Sequence, residues 1–355
     1  MHLDQTDLPP AYTGYIRKKI LILAAASGGL VIVALVSIWL GSVTVPLPEL
    51  AKALVGAGTP KWHSIVVDIR LPRVLTAIII GAGLSLAGVS MQSVLGNPLG
   101  SPFTLGVSQA AAFGAALSVM ALGTGVIRSG GERVVLLSNP YLTAVSAFLF
   151  CLLATGLLIG ISKLKRSSPE VMVLAGVALG SLFQAGLMFL QYFADDVQLA
   201  AMVFWTFGDA GRTTWHELFL ITVTVGAGAV FFLTQAMNYN ALDAGTETAV
   251  GLGVRVEAVR IGGMLAASLM TAVIVSLVGI IGFIGLVGPH IMRRLVGNDH
   301  RFLIPGSALA GAVLLTAADT LARLILIPHV FPVAILTAFL GVPVFLGLIL
   351  KGYRR

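Results

Sequence analysis

The sequence predicts an all-α, polytopic membrane protein of about ten transmembrane helices, on three observations. Only 10% of the 355 residues are charged, against about 25% in soluble domains. Residues Val74 to Ile127 carry no Asp, Glu, Lys, Arg or His, and similar neutral runs cover Leu21–Pro48, Val134–Ser162, Val171–Ala194, Leu218–Leu242 and Ile261–Pro289. Each is at least as long as the roughly 20 residues that cross a hydrocarbon core. Third, the mean hydropathy of +0.98 leaves too little charge to coat a soluble surface.

Punctuation by Pro, Gly, Asn and charge cuts these runs into segments at about 20–41, 71–91, 102–122, 141–161, 171–194, 215–235, 257–281, 283–297, 303–325 and 332–350. The first follows Arg17-Lys18-Lys19, as in a signal peptide, but is longer than a signal h-region and is read as a retained helix. Gly96–Pro102, "GNPLGSP", divides the second helix from the third. A long loop, 124–139, precedes the fourth. The organisation is a tail at 1–19, one transmembrane domain at 20–351 with an inner loop at about 238–258, and a short tail at 352–355. With an even number of crossings and both termini cytoplasmic, most of the 22 lysines and arginines fall inside, as the positive-inside bias requires.

The stretch "SLVGIIGFIGLVGPHIMRRLVGNDHR", Ser276–Arg301, places glycine at 279, 282, 285 and 288. Such spacing suits close helix packing or a break in the backbone. It predicts a helix ending near Gly282, a bend, and a short helix after it, with Pro289 disfavouring helix at Gly288. A phosphate loop is excluded because no G-x-x-x-x-G-K-[ST] occurs. His290 has no metal-spaced partner, so no metal site is expected. The basic residues form no stripe, which argues against nucleic acid, and no grouping of Ser, His and Asp or of paired carboxylates suggests an enzyme.

Asp319 is the one acid inside a neutral run, four residues before Arg323, and an i, i+4 ion pair is the structural reading. With no proton relay in view, the chain needs an energy source from outside, which disfavours a secondary transporter. Arg70 and Arg73, in "DIRLPR", are read at a helix N-terminus, where cations oppose the macrodipole, and on the side that the positive-inside bias avoids. Contact with lipid headgroups is one reading; the sharper one is an acidic partner outside, with Arg323 adding to the patch. In the inner loop, Thr246–Leu252 reads as a short helix capped by Thr246, with Glu247 in its first turn and Gly253 ending it. Ala249, Val250 and Leu252 give it an apolar surface that suits a protein groove.

Several blocks resemble one family: "RLPRVLTAIIIGAGLSLAGVSMQSVLGNPLGSPFTLGVS" (70–108), "LAGVALG" (174–180), "ALDAGTETAVGLGV" (241–254), "GFIGLVGPHIMRRLVGNDHRFLIPGSALAGAVLLTAADTLAR" (282–323) and "FPVAILTAFLGVPVFLGLIL" (331–350). It is the FecCD-type permease family of ABC importers for ferric siderophores, haem and vitamin B12. The resemblance implies a type II importer permease, not an enzyme, working as a homodimer around a central path in the cytoplasmic membrane. Two cytoplasmic ATPase subunits would bind the ATP and Mg, leaving no cofactor in this chain. A periplasmic or lipid-tethered binding protein would deliver the metal chelate, a ferric siderophore in the first place and haem or cobalamin otherwise. The resemblance places binding-protein docking at Arg70, Arg73 and Arg323, and ATPase coupling at Leu242, Asp243, Gly245, Thr246, Glu247, Ala249, Leu252 and Gly253. A gate falls near Ser168 and Pro169, while Gln184, Met188 and Gln191 are candidates to line the path.

Overall fold

A computed structural model describes residues 10–352 except 42, 124, 131, 138, 165–168 and 328. Ser168, the first nine residues of the expected N-terminal tail and residues 353–355 of the C-terminal one lie outside the described residues. The chain forms α1 (Pro10–Trp39), α2 (Leu47–Leu54), α3 (Pro60–His63), a π-helical turn (Ser64–Arg70), α4 (Leu71–Val94) and α5 (Val107–Leu122). A hairpin follows, β1 (Gly125–Gly130) antiparallel to β2 (Glu132–Leu137), then α6 (Pro140–Leu164), α7 (Pro169–Phe193), α8 (Asp196–Thr206) and a 3₁₀ turn at Ala210–Arg212. The rest is α9 (Trp215–Thr234), α10 (Ala236–Asp243), α11 (Thr246–Gly251), α12 (Val256–Val278), α13 (Ile284–Val296), α14 (His300–Leu324) and α15 (Val333–Gly352). The architecture is helical apart from the hairpin, which occupies the long loop at 124–139.

Among the described residues, seven helical spans are long and apolar enough to cross a membrane. The other three expected segments fall on α5, α13 and α15. The hub is α4, which is mostly buried, whereas α1 is mostly exposed. Helices α9, α12, α13 and α14 pack around α4. Glycine permits the closest approaches: a Cβ at Gly88 would strike the carbonyl oxygen of Gly285, and one at Gly81 that of Gly311. Small residues let helix backbones meet where lipid offers no hydrophobic drive.

The glycine run at 279–288 does both things it can do. Gly279, at φ +84°, ends α12 at Val278, four residues before the expected Gly282, and Phe283 at φ +67° opens α13. Gly285 and Gly288 then lie against Leu84, Gly88 and Ser85 of α4. Pro289 does not break α13 but sits within it. It cannot donate to Gly285, and that oxygen is the one facing Gly88.

A second correction concerns "DIRLPR". Helical chain begins at Pro60, not at 71, and continues through the π turn into α4. Pro72 lacks an N–H, and the wider turn, with Leu71 N–H donating to the Val66 carbonyl, accommodates the interruption. Arg70 and Arg73 therefore lie inside a continuous helix, where the macrodipole argument does not apply.

Candidate functional sites at the two ends of the bundle

His300 and Arg323 lie 23 residues apart along α14, about 35 Å at 1.5 Å per residue. Two polar clusters form at these two ends. The first is built on the three expected docking arginines. Arg70 Nη1 donates to the Ile38 and Trp39 carbonyls at 2.9 and 2.7 Å, and Nη2 donates to Val43. Arg323 Nη1 reaches the Ser37 and Leu40 carbonyls at 3.2 and 3.3 Å, and its Nη2 reaches Ser37 Oγ at 2.6 Å. Carbonyls at the end of a helix have no partner within it. Two guanidinium groups supply those partners for α1, and positive charge at a helix C-terminus is favourable, by up to about 2 kcal/mol when partly buried.

Asp319, fully buried, balances this charge. It accepts from Arg323 Nε at 3.1 Å and from Arg73 Nη2 at 2.8 Å, and Arg73 also reaches Asp209 at 3.0 Å. Asp209 in turn caps the 3₁₀ turn by accepting from the Gly211 N–H. So the Asp319–Arg323 pair exists within a larger network that also holds Arg73 and Asp209, residues remote in sequence. None of the three arginines expected to dock a partner lies freely exposed in this chain. Arg70 and Arg323 are buried, and Arg73 keeps only 13% of its side chain exposed. The reason is that α1 ends beside them with unpaired carbonyls.

The other end carries α10 and α11. Gly245, at φ +116°, is the N-cap of α11, so Thr246 is its first helical residue and not the cap. Thr246 Oγ1 instead accepts from Arg260 at 3.0 Å. Gly253, at φ +81°, does end the helix, with its N–H on the Val250 carbonyl and Val254 N–H on Ala249. Ala249 is buried, not exposed as expected, while Val250 and Leu252 are 61% and 69% exposed. Glu247 is exposed and Leu242 is buried.

Sequence reasoning passed over His300, which is wholly buried beneath this segment. Its Nε2 lies 3.0 Å from both Asp243 Oδ2 and Ser93 Oγ, and its backbone N–H donates to Asn240 Oδ1 at 2.8 Å. Asn240 Nδ2 donates to Asp299, the N-cap of α14. Hydrogen bonds to Arg301 and Asn240 hold the Asp299 carboxyl down at about 2. Tyr239 joins α10 to α4 through Ser90 at 2.9 Å. Three nitrogens near this end, His300 Nδ1, Gln92 Nε2 and Arg293 Nε, are buried without a hydrogen-bond partner.

Of the expected path residues, Gln184 and Met188 come together. They line a groove of about 580 Å³ between α5 and α7, with Phe103, Thr104, Gln109 and Ser181. Gln191 is half-buried one turn further along α7 and outside the groove lining; Pro169 is the first residue of α7. Helix α7 buries a single stripe, Met172, Gly176, Gly180, Phe183, Leu187 and Leu190, and leaves Leu174, Val177, Phe189 and Tyr192 exposed. Among the described residues, no group of three or more His, Cys, Asp or Glu is placed to hold a metal ion.

Residues 29–351 match the model of the FecCD transport family. A chain of Methanocaldococcus jannaschii assigned as an ABC transporter permease is 47% identical over 98% of this chain and 99% of its own length. The hemin transport system permease of Yersinia pestis is 36% identical over 91% of this chain and 95% of its own. Among solved structures, a transporter assigned to the metal-chelate type of ABC transporter, in an inward-facing conformation, superposes with a TM-score of 0.80. It is 30% identical, covering 93% of this chain and 99% of that one.

Proposed function

The chain belongs to the FecCD transport family, and on that premise we propose that it is the permease subunit of an ABC importer that moves a ferric siderophore across the cytoplasmic membrane. The observation that carries the reading is the match across residues 29–351, nearly the whole membrane domain. The Yersinia relative is named for hemin, so haem is the alternative cargo, with cobalamin a third. Nothing in the α5–α7 groove selects among them: it is mostly apolar, with Thr104, Gln109, Ser181 and Gln184 as polar points.

In this reading two copies meet along the exposed face of α7, and the groove beside Gln184 and Met188 lines the path between them. Both termini are cytoplasmic, which puts α11 inside. Val250 and Leu252 of α11 enter a groove on an ATPase subunit, which binds the ATP and Mg and hydrolyses the nucleotide. This chain then needs no cofactor and supplies no catalytic residue. A binding protein delivers the chelate at the opposite end. Of the three arginines expected to receive it, Arg73 keeps an accessible edge, while Arg70 and Arg323 hold the end of α1 that supports that surface.

The test is reconstitution of the chain with its ATPase and binding protein in vesicles, with a panel of ferric hydroxamate, ferric citrate, haem and cobalamin. ATP-dependent uptake of a ferric siderophore is the expected result. Uptake of haem or cobalamin alone would replace the cargo, and uptake independent of ATP would overturn the importer reading.

A further inference from the structure

His300 is a buried side chain that the proposed path does not use, and its position is unusual. Three helices converge on one imidazole: α14, which carries it, α10 through Asp243, and α4 through Ser93. Asp243 is the last residue of α10, two residues before Gly245 starts the turn into α11. Ser93 lies in the final turn of α4, the buried hub. The carboxylate only accepts, so Nε2 carries the hydrogen and donates to Asp243. Nδ1, the other ring nitrogen, is buried with no hydrogen-bond partner.

We propose that His300 is a positioning residue for energy coupling, holding Asp243 against Ser93 so that displacement of α11 is delivered to α4. The proposal rests on the reading that α11 meets the ATPase. The charged and titratable groups near the ring include Asp243 from α10, Asp299 at the cap of α14 and Tyr239, whose ring centre lies 5.5 Å away, and Arg293 of α13 acts on the same Asp243. Asn240, bonded to the His300 N–H and to Asp299, adds a second tie between α10 and α14. Gln92 and Arg293, bonded to each other at 3.1 Å, lie near the same end and tie α4 to α13.

The test uses the permease assembled with its ATPase in vesicles, and compares His300→Ala, His300→Gln and Asp243→Asn with the unaltered chain. The readouts are ATP hydrolysed per substrate imported and amide exchange over residues 238–253. His300→Ala should raise the ATP cost per substrate by about fivefold or more, the lower end of typical coupling strengths, and speed exchange in 238–253. His300→Gln, which keeps a donor at similar reach, should recover most of both. Asp243→Asn, which keeps an acceptor but no charge, should fall between. Faster exchange with an unchanged ratio would make the contact merely structural and overturn the proposal, as would a ratio that Gln fails to recover in a folded, assembled complex. Leu252→Asp, in parallel, separates the two claims. If it leaves ATPase binding intact, the α11 reading fails; if it abolishes binding while His300→Ala leaves the ratio unchanged, only the His300 proposal fails.

Discussion

At one end of the bundle, Arg70, Arg73 and Arg323 place their donors on the four consecutive carbonyls of residues 37–40 where α1 ends, on Val43 and on two aspartates. No buried nitrogen or oxygen of these arginines or of Asp319 is left without a partner. At the other end, Gln92, Arg293 and His300 each bury a nitrogen that has none. A saturated network has one favourable arrangement, because any movement strands a charge in a poorly solvated place. Around His300 the ties are fewer, and the link from α10 to α4 runs through a single imidazole. The contrast points to a fixed end, built around the end of α1, and a working end, built around α10 and α11.

The largest expected effect lies in the fixed end. Asp319→Ala leaves Arg73 and Arg323 without their buried carboxylate, and loss of one partner of a buried pair costs about 3–5 kcal/mol. Thermal unfolding in detergent should show a marked loss of stability, larger than for any single change around His300. If the loss is no greater than for a surface substitution, the network is not the clamp described. At the working end, Leu252→Asp puts an unpaired carboxylate into the proposed ATPase groove. Uptake should fall by about tenfold or more, since a factor of ten is only about 1.4 kcal/mol and burying such a charge costs more. Gly253→Val should act in the same direction, because a β-branched residue at φ +81° is strained. Both should leave the unfolding temperature of the membrane domain near that of the unaltered chain.

Much of this contrast was not visible beforehand, for identifiable reasons. The ten apolar segments are legible because bilayer thickness sets their length and charge marks their ends. The i, i+4 spacing made Asp319 and Arg323 a pair, but Arg73 and Asp209 are 246 and 110 residues from Asp319, and no local pattern connects them. The sequence reading places the helix start at "RLPR", whereas helical chain begins at Pro60. Pro60 at the first helical position, a favoured place for proline, is the overlooked signal. Helix α8 had one too: Asp195 and Gln198 form a capping box. His300 offered none, since its partners Asp243 and Ser93 lie 57 and 207 residues away.

Smaller changes refine the comparison. Ser37→Ala removes the hydroxyl that Arg323 and Thr320 share and should cost about 1–3 kcal/mol, since both remain buried. Acid should act later at the working end than carboxylates ordinarily allow. The Asp299 carboxyl sits near 2 in the folded chain, below its unfolded value of about 3.9. Its contribution is fully present above the unfolded value and is lost as pH falls through about 2. Amide exchange at the start of α14 should therefore be unchanged between pH 7 and 5. Opening of that turn near pH 5 would contradict the assignment of the Arg301 and Asn240 bonds.

The most direct measurement of the contrast is amide exchange in the assembled transporter, with and without ATP. The expected result is a nucleotide-dependent change across residues 238–253 and 298–301, with residues 36–41 and 319–323 unchanged. A change confined to the arginine end, with α10 and α11 indifferent to nucleotide, would reverse the assignment of fixed and working ends.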